Sequence, residues 1–81
     1  MTAIERIQTG VRLEKRILKV LKGTAEHLEM SLGDLLEGMA LHAFEGKQAF
    51  GPETLAKIEM LKQVYDLDLA ATDAHKFPEV D

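Results

Sequence analysis

The stretch Ile4-Glu5-Arg6-Ile7-Gln8-Thr9-Gly10-Val11-Arg12-Leu13-Glu14-Lys15-Arg16 alternates apolar and polar residues from Ile7 to Leu13 and then changes period. Alternation at period two is the mark of a half-buried strand, and no other segment of the chain shows it. A lone strand leaves its backbone donors and acceptors unpaired, and even an isolated two-stranded hairpin is marginal in water. The segment therefore predicts a strand whose partner lies outside this chain. Since two-fold homodimers are the commonest assembly, the simplest partner is the same strand of a second copy, paired antiparallel.

Composition points the same way. The chain has 81 residues, 46% hydrophobic and 30% charged, which fits one small domain rather than a disordered or fibrous polymer. A domain this small buries only about 60% of its unfolded surface and often needs a staple or a partner. Cysteine is absent, which excludes disulfides and thiolate metal sites and leaves a second protein chain as the expected staple. No apolar run reaches the ~18 residues of a membrane-spanning helix, and the first residues lack the charged-then-apolar pattern of a signal peptide. A cytoplasmic protein with no membrane association is expected.

The net charge of −4 conceals a gradient. Residues 1–22 carry Arg6, Arg12, Lys15, Arg16, Lys19 and Lys22 against Glu5 and Glu14, a net of +4, while residues 23–48 and 49–81 each carry −4. The acidic total argues against a general nucleic-acid coat, yet one basic end suffices for a local phosphate-facing surface.

After Leu13 the apolar spacing becomes three and four. Ile17, Leu18, Leu21, Ala25 and Leu28 share one side of a helix from about Lys15 to Leu28, weakened but not ended by Gly23 and Thr24. Ser31-Leu32-Gly33-Asp34 reads as a capping box with Asp in place of the usual Glu. It opens a second helix with Leu32, Leu35, Leu36, Met39, Ala40, Ala43 and Phe44 at amphipathic spacing, and Gly46 suits its end. Pro52 and Glu53 favour the start of a third helix, over about 52–65, with Leu55, Ile58, Leu61, Val64 and Tyr65 as its apolar residues. The acidic tail after Tyr65 is expected to fray.

The segment TGVRLEKRILKVLKGTAEHLEMSLGDLLEGM, from Thr9 to Met39, resembles the ribbon-helix-helix family of DNA-binding proteins, which includes the Arc and methionine repressors. The resemblance spans roughly residues 6–46 and rests on a strand ending Val11-Arg12-Leu13, on Ala25 late in the first helix, and on Ser31 six residues later. It implies a mostly α protein with one N-terminal strand: an intermolecular two-stranded antiparallel β-ribbon in a homodimer, plus an additional C-terminal helix. Residues 1–46 would then be the dimerisation and DNA-binding domain, and residues 47–81 the third helix and acidic tail. By parity Ile7, Thr9, Val11 and Leu13 would face the helices, and Gln8, Gly10 and Arg12 would face base edges in the major groove. Arg pairs with guanine O6 and N7, Gln with adenine N6 and N7, and Gly10 offers no side chain. A bulge at Gly10 would turn Thr9 outward instead.

Phosphate contacts are implied for Arg6, for Lys15, and for the backbone amides of Ser31, Leu32 and Gly33 at the start of the second helix. The implied dimer core holds Ile7, Val11, Leu13, Leu35, Leu36 and Met39. Glu29 stands where the family usually has glycine, at a place where a left-handed backbone costs other residues about 1 kcal/mol or more.

The same residues have plainer readings. Gln8 and Arg12 also read as solvated strand residues, and Lys15, Arg16, Lys19 and Lys22 as a solvated helix face. His27, His42 and His75 are too far apart in sequence for a paired site, so no metal or cofactor is expected. No nucleophile–base grouping or phosphate loop appears, which points to a non-enzyme. The expected function is a sequence-specific, repressor-like DNA-binding regulator whose partner is double-stranded DNA. The alternative is an antitoxin or adaptor whose residues 52–81 bind a toxin-like protein, and a third reading is a helical assembly protein whose strands only dimerise. A helix at 52–65 packed on its own protein favours the regulator, and a segment disordered in isolation favours partner binding.

Overall fold

The computed structural model describes residues 3–78, which form three α-helices, α1 Lys15–His27, α2 Leu32–Phe44 and α3 Pro52–Val64, followed by a 3-10 turn at Ala71–Asp73. Among the described residues there is no strand. The expected β-ribbon is therefore corrected to an all-helical fold preceded by an arm, residues 3–13, that has no regular structure. Alternation is a pattern that a strand uses but cannot itself create, because a ladder needs a second edge and three helices offer none. The arm's inward and outward parity is lost with the ladder: Ile7 is 81% exposed and Val11 70%.

The α1 helix begins at Glu14, whose carboxylate accepts the backbone N–H groups of Arg16 and Ile17 at 2.9 and 3.0 Å. Both α2 and α3 pack on α1 and not on each other. That is why burial on α1 extends beyond the stripe read from spacing. Val20 and Thr24 are buried along with Ala25, because α1 is covered from two directions. The Thr24 hydroxyl loses nothing by burial, since it donates to the Val20 carbonyl at 2.7 Å.

Gly23 faces α3 where the Leu61 side chain lies. A β-carbon there would stand 3.0 Å from Leu61 Cδ2, so the missing side chain is what admits Leu61. One turn earlier on α1, the Lys19 ammonium lies 5.7 Å from the centre of the Tyr65 ring. Earlier still, Arg16 Nη1 donates to the Asp66 carbonyl at 3.0 Å and to Asp68 Oδ1 at 2.9 Å. The order of these contacts makes α3 antiparallel to α1. The tail, expected to be loosely held or frayed, makes contacts among its described residues: Arg16 donates to Asp68, and Asp73 Oδ2 accepts the Ala70 N–H at 2.8 Å; residues 79–81 lie outside the described residues.

All three helices stop in the same way. The N–H groups of Met30, Lys47 and Leu67 reach back to the carbonyls of Ala25, His42 and Lys62 at 3.0, 2.8 and 2.8 Å. Each such turn needs one left-handed residue, and these are Glu29 (φ 56°), Gly46 (φ 67°) and Asp66 (φ 55°). Glycine takes this conformation freely and Asp tolerates it, whereas Glu is strained. Glu29→Gly should therefore raise stability by about 0.5–1 kcal/mol, a gain of several degrees in Tm for a chain of this size. Glu29→Ala should give no such gain, and a thermal melt compares the two.

Candidate functional site

The arm and the start of α2 enclose a groove of about 1040 Å³, walled by Ile7, Val11 and Leu13 of the arm, Leu18 of α1, and Leu32 and Leu36 of α2. Arg6 pins the arm in place. Its Nε and Nη2 donate to the two carboxylate oxygens of Glu37 at 3.1 and 2.9 Å, and Nη2 lies 3.7 Å from Asp34 Oδ1. The hydrogen bond from Arg6, followed by its charge, holds the Glu37 carboxyl below the usual glutamate value. Arg6, expected at a phosphate, is thus engaged by two carboxylates.

Gln8, Gly10 and Arg12 are exposed along the arm. At the head of α2 the Ser31 hydroxyl accepts the Asp34 N–H at 3.1 Å, the capping contact that the Ser31 spacing implies. The amides of Ser31, Leu32 and Gly33 share this end with the carboxylates of Asp34 and Glu37, which oppose an anion there. Of the residues assigned to a dimer core, Leu35 is only 3% exposed and lies inside the protomer, whereas Leu36 and Met39 are half-buried and Ile7, Val11 and Leu13 are exposed.

On α1, Lys15, Lys19 and Lys22 lie at i, i+4 and i+7 and are all exposed, forming one cationic stripe. Arg16, beside the stripe, is held by Glu14 Oε2 at 3.1 Å as well as by Asp68. The sequence pointed to Lys15 and Lys19 as phosphate contacts and to Lys15, Arg16, Lys19 and Lys22 as a solvated helix face. The structure keeps the three lysines on one exposed side of α1 and draws Arg16 away to carboxylates.

The α2 helix is apolar on most of its circumference, yet Leu35 is its only buried residue among those described. Phe44 is 82% exposed and Leu41 62%. A compact 9.0 kDa monomer exposes about 4,900 Å², whereas this chain exposes 7065 Å². Its radius of gyration, 14.0 Å, likewise exceeds the roughly 12 Å of a compact chain of this length.

Among the described residues no group of His, Asp or Glu side chains could hold a metal ion, and no helix is long and apolar enough to cross a membrane. No family model, no curated protein and no solved structure matches the chain.

The Arg6–Glu37 pair makes a prediction about pH. Because the Glu37 carboxyl titrates below the ordinary value of 4.5 in the folded protein, the pair contributes stability above that pH, and the contribution is lost as pH falls through the folded value. In an NMR titration, Arg6→Gln should move the Glu37 carboxyl upward toward 4.5. An unchanged titration would show that the arm is not held there in solution.

Proposed function

We propose that this chain is a DNA-binding transcriptional regulator that works as a homodimer in the cytoplasm. The observation that carries the reading is the stripe of Lys15, Lys19 and Lys22 on the exposed side of α1, in a chain whose net charge is −4. Cations gathered on one side of one helix suit a phosphate backbone, where each neutralised phosphate releases condensed counterions. The adjoining arm supplies base-edge chemistry through Gln8, suited to adenine, and Arg12, suited to guanine. The resemblance to the ribbon-helix-helix family motivates the same reading, but no ribbon enters it.

The homodimer is supported by the surplus surface. If each protomer covered half of its excess, the interface would total about 2,000 Å², within the range of obligate homodimers. The apolar residues left open on the arm and on α2, Ile7, Val11, Leu36 and Phe44 among them, are the surface to cover. The partner-protein reading for residues 52–81 draws support from Met60 and Val64, which are 58% and 68% exposed on α3. Against it, the neighbouring side of the same helix already lies on α1 through Leu61 and Tyr65.

Selection on random duplex DNA at fixed salt tests the proposal. The parent should enrich a short sequence, and Gln8→Ala should relax preference at one position within it. Replacing Lys15, Lys19 and Lys22 together by Ala should weaken binding to every sequence alike and flatten the slope of log K against log salt by about 0.9 for each phosphate no longer neutralised. A parent that enriches nothing, with affinity indifferent to the three lysines, would overturn it.

A further inference from the structure

We infer that the tail following α3 is an autoinhibitory strap that occupies part of the cationic side of α1 and competes there with nucleic acid. The inference rests on the DNA-binding reading above and adds to it a means of regulation. Its basis is the position of the tail. At the end of α3 the left-handed turn at Asp66 (φ 55°), closed by the Leu67 N–H on the Lys62 carbonyl at 2.8 Å, redirects the chain. The redirected segment delivers the Asp66 carbonyl and the Asp68 carboxylate to one nitrogen of Arg16, at 3.0 and 2.9 Å. The Tyr65 ring meanwhile takes the Lys19 ammonium at 5.7 Å. Two of the cations on or beside the stripe thus have partners from the end of α3 and the tail.

The chemistry suits a brake rather than a lock. The Asp68 side chain is 82% exposed, and an exposed ion pair is weak and screened by salt. A phosphate presents the same kind of acceptor to a guanidinium as a carboxylate does, so a polyanion displaces the strap stepwise. Until it is displaced, the strap lowers the positive potential beside Lys15 and Lys19. The other partner of Arg16, Glu14, belongs to the cap of α1 and stays in place when the tail leaves.

The test compares the full-length parent, Asp68→Asn and Glu53→Gln on a random-sequence DNA duplex over a range of salt concentrations. Both substitutions remove one negative charge from an exposed position. Glu53, however, lies at the far end of α3, about 18 Å along the helix from Tyr65. That separation exceeds the Debye length of about 10 Å at 0.1 M salt. Helix content by circular dichroism checks that all three proteins are folded.

Asp68→Asn should bind several-fold tighter than the parent, with a slope of log K against log salt steeper by about one, while Glu53→Gln matches the parent. DNA binding by Asp68→Asn where the parent shows none would support the strap still more strongly. Equal gains in both variants would mean net charge alone and would overturn it, as would unchanged binding in Asp68→Asn. If neither the parent nor Asp68→Asn binds duplex even at low salt, the DNA-binding reading itself fails and takes the strap with it.

Discussion

The close approach of α1 and α3 at Gly23 is the contact on which the rest of this structure depends. It brings Leu61 against the bare backbone of α1, and the antiparallel run of α3 then fixes the positions of Tyr65, Asp66 and Asp68 one after another. α1 also packs against α2, on which Leu35 is buried. Among the described residues α2 and α3 do not meet, so α1 is what joins the three helices.

Charge is partitioned by the same arrangement. Arg6 and Arg16 hold the arm and the tail, each through a carboxylate distant in sequence, Glu37 for the arm and Asp68 for the tail. The lysines of α1 remain on its exposed side. The division follows from side-chain chemistry. A guanidinium can serve two or three acceptors in fixed directions, as Arg6 and Arg16 do, whereas an ammonium on a flexible stem acts as a point charge. The basic end of the chain is therefore in part a fastening, through Arg16 and Arg6, and in part an exposed row of lysines on α1.

Much of this was legible in the sequence where the physics is local. The Ser31 cap, the proline opening α3, the glycine ending α2 and the apolar spacings placed three helices where they stand, because each signal acts within a turn or two of backbone. The left-handed backbone at Glu29, φ 56°, was suggested only by the resemblance, in which a glycine usually stands at that place, and not by any local signal in these residues. What spacing could not supply was the identity of a partner. Alternation from Ile7 to Leu13 said that one side wanted cover but not what would provide it, and no strand formed among the described residues. The bonds of Arg6 to Glu37 and of Arg16 to Asp68 span 31 and 52 residues, a separation at which local pattern carries no information. The burial of Val20 and Thr24 was hidden for a related reason, since it requires knowing that α1 is covered twice.

What the helices leave uncovered is the strongest statement the molecule makes about its working form. Few buried apolar side chains among the described residues, an apolar α2 with Phe44 in the open, and a surface larger than that of a compact monomer are the observations behind the proposed homodimer. Sedimentation of the free protein at micromolar concentration measures this directly. A species of twice the 9.0 kDa chain mass is expected, shifting toward the monomer in Phe44→Ser, a change that removes nothing from the protomer's own core. A parent that sediments as a folded 9.0 kDa monomer, with Phe44→Ser indistinguishable from it, would contradict the account.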